Sequence, residues 1–263
     1  MCILNSVGSN AVNNQVDVKT IQILLNMNFG KLVSFSPLIE DGHIGNQTLN
    51  AIYEFQHRIV KVSNPDRRVD PKGNTLRLLQ ENISSEFTED KLKAIMILAS
   101  KSNIAKYFNA LKMAMSFNGI NSPLRMAHFL AQIGHESGDL KYSEEIASGS
   151  NYEGRIDLGN TEQGDGVRFK GRGLIQLTGR ANYEAYGKDR NKDYVSGKNN
   201  LLIASDSFLA VDVACWFWKK HLLNEIADTD NIVRITKVIN GGENGLEDRK
   251  KRLVRAKFFL KVR

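Results

Sequence analysis

Apolar residues recur at helical spacing along most of the chain. Val16, Val18, Ile21, Ile23, Leu24 and Leu25 mark one such stretch, and Leu49, Ala51, Ile52, Tyr53 and Phe55 the next. Apolar positions three and four residues apart line one face of an α-helix. Two punctuation marks follow a common pattern: DGHIGNQTL (41–49) and DPKGNTL (70–76) both run from Asp through Gly to Asn, Thr and Leu. Gly in each suits a tight turn at positive φ, and Asn or Thr suits the cap of the helix that follows. The pattern predicts a three-helix unit at 16–28, 47–62 and 74–82. The polar stretch ENISSEFTE (81–89) is the candidate linker, dividing the chain into domains 1–85 and 86–263.

Beyond the linker the pattern is again helical. SEFTED offers caps for a helix over 89–99, and Ser102 with Asn103 for one running to Phe117. Ser122-Pro123 is a stronger start, because Ser satisfies orphan amides and Pro fits the first helical position. That helix carries Leu124, Ala127, His128, Ala131 and His135 along one side, with Phe129, Leu130 and Ile133 beside them, and stops at Gly138. Helices are predicted at 206–222, 229–239 and 246–261. Between them lies a polar, Gly-rich segment, Ala147 to Gly173, of a length that is usually functional or disordered. The fold class is therefore mainly α, with GDGVRFKGRGLIQLTGRANY (164–183) as the candidate β-hairpin.

Composition agrees, with 41% hydrophobic residues and 4 prolines, the balance of a folded protein. Cys2 and Cys215 lie at opposite ends without CxxC or Cys/His spacing, which implies neither a disulfide framework nor a zinc site. No basic segment followed by an apolar stretch opens the chain, and no run approaches about 18 apolar residues, so no signal peptide and no membrane span is expected. The formal charge of +7 is uneven: residues 1–85 hold 8 Lys and Arg against 7 Asp and Glu, whereas 219–263 hold 12 against 6. A basic face of this kind suits a polyanion or a solvated helix equally well.

Glu136 falls in the last turn of its helix, where the backbone presents partial negative charge and disfavours a second one. A carboxyl that holds its proton suits a general acid; an exposed Glu at a frayed helix end is the plain alternative. His128 and His135, seven apart, match no chelating motif and read as hydrogen-bonded, partly buried histidines, so no metal is expected. Glycosidic cleavage needs a second group to activate water, and KYSEEIASGSNYEGR offers Glu144, Glu145 and Glu153. In 164–183, Gln176, Thr178 and Asn182 can hydrogen-bond sugar hydroxyls or acetamido groups. The same stretch lacks GK[ST] and a Rossmann spacing, so it is no phosphate loop.

Four blocks in order, MAHFLAQIGHESG, EEIASGSNYEGRIDLGNT, GDGVRFKGRGLIQLTGRANY and VINGGENGLEDRKKRL, make residues 125–255 resemble the chitinase-like glycoside hydrolase family 19, in its phage-endolysin and bacterial cell-wall-lysin branch. Residues 10–80, with DVKTIQILLN, EDGHIGNQTLNAIYEFQ and RVDPKGNTL, resemble a three-helix peptidoglycan-binding domain. The resemblance implies a lysozyme-like helical catalytic domain with a small β-hairpin region, cutting β-1,4 glycan by inversion without a cofactor. Carried over by position, it makes Glu136 the general acid and gives Thr178 a share in holding the water. Gln176, Asn182 and Tyr183 line the sugar groove, and Asn240 and Arg249 shape its far side, Arg249 in a charge network with the acids. Glu145 is the implied base, with Glu153 in reserve at the substrate; failing both, Thr178 and neutral groups position the water.

The N-terminal module tilts the expected substrate from chitin to peptidoglycan, since tethering raises the effective substrate concentration. The expectation is an N-acetylmuramidase acting as a phage endolysin or a secreted antibacterial effector. Its alternatives are a chitinase acting on chitin oligomers and a catalytically silent wall-binding protein. A nucleic-acid binder ranks last for want of a reading motif. A monomer is expected, made in the cytoplasm, released through a holin or a secretion system, and acting in the periplasm or cell wall without inserting in the membrane.

Overall fold

The computed structural model describes residues 2–32 and 36–262. They fall into two compact units, Met1–Ile97 with Val254–Arg263, and Leu98–Leu253. Among the described residues no single helix is long and apolar enough to cross a membrane.

The smaller unit runs β1 (Val7–Gly8), α1 (Gln15–Met27), α2 (Asn46–Phe55), β2 (Arg68–Val69), α3 (Asn74–Glu81) and α4 (Glu89–Ile95). A π-helical turn, Gln56–Val60, continues α2, so the apolar pattern to residue 62 is helical only in part as α. β1 pairs antiparallel with β2, Val7 facing Val69 and Gly8 facing Arg68. Val18, Ile21, Leu24, Ile52, Phe55 and Leu79 are buried and form the core.

The two look-alike turns close around two buried glutamines. Gln22 donates to Asp41 Oδ1 at 2.9 Å, His43 O at 3.1 Å and Thr48 Oγ1 at 3.3 Å, and accepts from the Gly42 amide at 2.9 Å. Gln56 repeats the set with Asp66 Oδ1 at 2.7 Å, Arg68 O at 2.9 Å, Thr75 Oγ1 at 3.3 Å and the Arg67 amide at 2.9 Å. A buried amide stabilises only when its donors and acceptor are all matched; the first turn supplies every partner from within 41–48, whereas the second draws on Asp66, Arg67 and Arg68 ahead of DPKGNTL, so the counterpart of Asp41 is Asp66 and not Asp70. The expected Asn or Thr caps are not what forms. Gly45 and Gly73 are the N-caps, both extended and without a side-chain cap bond; Asn46 and Asn74 are the first helical residues, and Thr48 and Thr75, further in, accept from the glutamines.

The expected boundary at residue 85 falls within this unit. Lys19 Nζ donates to Ile97 O at 2.9 Å and Lys93 pairs with Glu40 at 2.9 Å, which draws α4 in. Buried Arg255 donates to Ala94 O at 2.5 Å, Cys2 O at 3.1 Å and Thr20 Oγ1 at 3.0 Å, which draws in the C-terminal segment that had been expected with the second domain.

The larger unit is built on α5 (Lys101–Phe117), α6 (Pro123–Glu136), α7 (Asp165–Arg168), α8 (Arg180–Arg190), α9 (Leu202–Ser205), α10 (Ser207–Lys220), α11 (Leu223–Asp228), α12 (Ile232–Asn240) and α13 (Leu246–Phe259), the last extending beyond it. Ser122 caps α6 with a bond to the Arg125 amide, as its sequence position predicts, and Asp206, expected as the first residue of α10, caps that helix with bonds to the Phe208 and Leu209 amides. For α5 the cap is Ser100, bonded to the Asn103 amide at 3.1 Å, rather than Ser102 or Asn103. α10 packs along α5, and Trp218 of α10 meets Phe129 of α6 edge-on at 5.4 Å. The pattern gave no sign of α8, whose buried face is only Tyr183, Tyr186 and Gly187. The Gly-rich stretch forms isolated antiparallel bridges, Glu144 with Arg172 and Arg172 with Leu177, in place of a regular hairpin.

Lys91 of α4 is 1% exposed and its ammonium has no hydrogen-bond partner among the described residues. Burial, then repulsion from Lys261, brings its pKa down to about 8. The unfolded chain thus binds one more proton than the folded one between that value and the ordinary lysine value, and stability rises with pH across this window. Lys91→Met should raise stability at pH 7 by about 1–3 kcal/mol, with the gain shrinking as the pH climbs towards 10; thermal melts by circular dichroism across pH 7–10 measure it.

Candidate active site

Glu136 is the last residue of α6. Ala127, Phe129, Leu130 and Ile133 bury one side of that helix, which fixes the direction in which its final turn points. Gly138, Asp139 and Leu140 then follow with φ of +57°, +56° and +65°. Left-handed backbone at a residue with a Cβ costs roughly 1–2 kcal/mol, so such a run needs holding. The buried Asp139 carboxylate provides this, accepting the Leu98 amide at 3.0 Å and pairing with Arg252.

The Glu136 side chain is 18% exposed and Oε1 pairs with Nη2 of Arg249, whose own side chain is 0% exposed. Arg249 Nη1 donates to Oε1 of buried Gln132, and Gln132 Nε2 donates to Thr236 Oγ1 at 3.3 Å. A buried guanidinium is tolerable when paired and hydrogen-bonded, and α6 supplies both partners one turn apart. Arg249 Nε is left without a partner among the described residues. The expectation built on the helix end alone had not set this cation directly against the carboxylate.

Beside it, His135 Nδ1 contacts Asp248 Oδ2 at 2.7 Å, and Arg252 Nε reaches the same oxygen at 2.6 Å. Burial pushes the Asp248 carboxyl up, but the bonds from His135 and Arg252 outweigh it and hold it below the ordinary carboxylate range. His128, fully buried, contacts Asp230 at 2.8 Å. Both histidines are thus hydrogen-bonded, as read from the sequence. Among the described residues no group of three His, Cys, Asp or Glu side chains is placed to hold a metal ion.

A second cluster gathers Glu145, Gln176, Thr178 and Asn182. Glu145 Oε1 accepts from the Tyr152 hydroxyl at 3.1 Å and Oε2 from the Gly171 amide at 3.1 Å. A carboxylate has about four lone-pair sites, so two donors orient it and leave room for a water. Burial, then the bond to Glu145, pushes the Tyr152 hydroxyl above the ordinary phenol range, so it stays a donor. A methyl group on Gly171 would stand 2.9 Å from Gln176 Oε1 and 3.3 Å from Glu145 Oε2, so a larger residue there would have to displace these two side chains. Thr178 Oγ1 donates to Gln176 O at 2.9 Å, and Asn182 Nδ2 donates to Thr178 O at 2.8 Å.

Other positions play different parts. Tyr183, expected in the groove, is fully buried; its hydroxyl donates to Lys170 O at 2.8 Å and accepts from Arg172 Nη1 at 3.1 Å, holding the segment that carries Gly171. Glu153, the reserve base, accepts the Gly164 amide at 2.6 Å and the Gly166 amide at 2.8 Å, which organises the loop before α7. Glu144 pairs with Arg172 at 3.0 Å. Asn240 ends α12 exposed, without a side-chain hydrogen bond among the described residues. Sequence reasoning had not singled out Gln132 or Tyr152. Gln132 stands one turn before Glu136, a spacing visible in the chain; nothing local marks Tyr152.

Residues 125–237 match the family model described as chitinase class I, glycosyl hydrolase family 19. A glycosyl hydrolase family 19 domain-containing protein of Haemophilus influenzae is 30% identical over 173 residues, covering 54% of this chain and 83% of that protein. An endochitinase of Arabidopsis thaliana is 33% identical over 130 residues, 49% of this chain; the chain spans only 43% of that protein's length. Chitinase C of Streptomyces griseus superposes with a TM-score of 0.54 at 21% identity, over 76% of this chain and 83% of that one. A bacterial family 19 chitinase does so at 0.57, also at 21% identity, over 67% and 95%. The shared fold is mainly α and lysozyme-like, and on this resemblance in sequence the chain belongs to glycoside hydrolase family 19.

Proposed function

We propose that the chain hydrolyses the β-1,4 glycan of bacterial peptidoglycan as an N-acetylmuramidase, with Glu136 as general acid. The observation that carries this reading is a partly exposed carboxylate at the end of α6, backed by the fully buried Arg249. In the proposed step Glu136 gives its proton to the bridging oxygen as the bond from that oxygen to the anomeric carbon breaks. A water attacks the same carbon from the opposite face and loses a proton to Glu145, which inverts the configuration. Tyr152 and the Gly171 amide fix the direction of the Glu145 lone pairs, and Thr178 adds a hydroxyl for the water. Oriented groups of this kind lower the barrier because their dipoles need no rearrangement during reaction.

Peptidoglycan is preferred over chitin because the smaller unit resembles a wall-binding module, and tethering concentrates the enzyme on its polymer. The chain would work outside the cytoplasm, as an endolysin or a secreted effector. Cleavage of chitin oligomers is the second reading, favoured by the endochitinases among the relatives.

Purified sacculi digested by the chain should release muropeptides with a hydrated N-acetylmuramic acid reducing end by mass spectrometry. Cleavage of chitin oligomers with intact sacculi would overturn the substrate assignment. Glu136→Gln should lower the rate about 10²–10⁴-fold with an unchanged circular dichroism spectrum. Glu145→Gln should cost about 10²-fold or more. Tyr152→Phe should lower kcat only about 2–10-fold, the rate equivalent of one hydrogen bond, and leave KM unchanged. An undiminished kcat in Glu145→Gln would remove Glu145 as the base.

A further inference from the structure

The smaller unit carries a groove of about 720 Å³ along α2, lined by residues that include Ile39, Gln47, Asn50, Tyr53, Glu54 and Arg67. A second hollow of about 280 Å³ shares Ile39 and Gln47 with it. Volumes of this order suit a small ligand. Gln47, Asn50 and Glu54 are three and then four residues apart, so one face of α2 presents them together. The amides of Gln47 and Asn50 make no hydrogen bond among the described residues, leaving donors and acceptors for a ligand's own amide groups.

Arg67 is the unusual member. In the repeated glutamine arrangement its amide takes the place of the Gly42 amide. Gly42 has φ +77° and Arg67 φ +58°. An arginine thus stands in a left-handed conformation that the other copy fills with glycine, and such placements cluster at ligand sites. Its guanidinium lies 5.3 Å from the centre of the Tyr53 ring and has no acceptor among the described residues. The charge of Glu54 is answered instead by Arg58 at 3.7 Å. Among the described residues the groove therefore holds an exposed, unmatched fork of N–H donors, the geometry that takes a carboxylate in two parallel bonds.

A sugar ring is the poorer fit. Tyr53 is the one aromatic lining residue among those described, and it is flanked by the Arg67 guanidinium and by His57, stacked at 6.1 Å. A pyranose would have to compete with both neighbours for that single ring.

We propose that this groove binds a short peptide ending in a free carboxylate, with Arg67 taking the carboxylate, Gln47 and Asn50 the peptide amides, and Ile39 an apolar side chain. Capture of a terminal carboxylate is an established mode of peptide recognition. Resting on the peptidoglycan reading above, the natural source is the stem peptide attached to the glycan. The enzyme would then hold the wall by its peptides with one unit and cut its glycan with the other.

Titrating the full chain with acetyl-alanyl-alanine, its C-terminal carboxamide and chitotriose, followed by amide NMR signals, tests this. The free acid should shift Gln47, Asn50, Tyr53 and Arg67, and the carboxamide should bind about tenfold more weakly, the loss expected for a charge-assisted hydrogen bond. Arg67→Gln should lose a similar factor and Arg67→Lys less, with hydrolysis of soluble oligosaccharides unchanged in both. Equal binding of acid and carboxamide, shifts confined to other residues, or displacement of the groove signals by chitotriose alone would each overturn the proposal. Peptide binding by a chain that cleaves chitin and spares sacculi would uphold the groove while removing the muramidase reading.

Discussion

A single buried cation sets the geometry of the catalytic unit. The Arg249 side chain is withdrawn from solvent completely, and its partners are Glu136 and Gln132. A guanidinium cannot shed its charge in a protein, so burial commits the surroundings to supplying acceptors. Both acceptors lie on the same face of the end of α6, and the start of α13 has to stand against that face for the pairing to exist. The position of the acid is therefore set by a contact between residues 113 apart in sequence, whatever the helix end prefers alone. Arg252 repeats the device one turn further along α13, where it holds Asp139 at the left-handed backbone that ends α6.

The second cluster depends on a different constraint. The segment from Glu144 to Thr178 contains little regular structure, and its backbone amides must find acceptors one by one. Glu145, Glu153 and Asp165 each accept from backbone amides within it. Arg180 clamps Asp165 with bonds of 2.8 and 2.6 Å, and that bond, ahead of opposing burial, keeps the Asp165 carboxyl below its ordinary range. Carboxylates that look interchangeable along the chain thus divide by task. Glu153 and Asp165 hold loops together. Glu145 is oriented by two donors and keeps lone pairs to spare.

In the smaller unit the same logic is applied to neutral groups. Gln22 and Gln56 each satisfy a turn from the inside, and the two copies match partner for partner. Where they differ, Gly42 against Arg67, the difference puts a guanidinium on the rim of a groove without disturbing the bond its amide makes. A duplicated structural device can carry new side chains where it uses only backbone, at Gly42 and Arg67 through the amide and at His43 and Arg68 through the carbonyl.

Most helices could be read from the chain itself. The period of apolar residues and the cap at Ser122 are local properties, and each operates over one turn. The hydrogen-bonded state expected of His128 and His135 is also what forms, with Asp230 and Asp248 as partners. The ordered blocks identified the family by resemblance. What stayed hidden was long-range. α8 was missed because Tyr183, Tyr186 and Gly187 gain their burial from the rest of the unit and leave too sparse an apolar stripe in sequence. The place of the C-terminal segment was misjudged because the acceptors of Arg255 lie at Cys2, Thr20 and Ala94. Tyr183 was placed in the groove by family resemblance, which carries a position over without its burial, and the fold closes over it completely. Sequence determined where helices form and which carboxylate ends α6. Tertiary structure decided which charges face one another, since Coulomb attraction and burial act between atoms that meet only once the chain is folded.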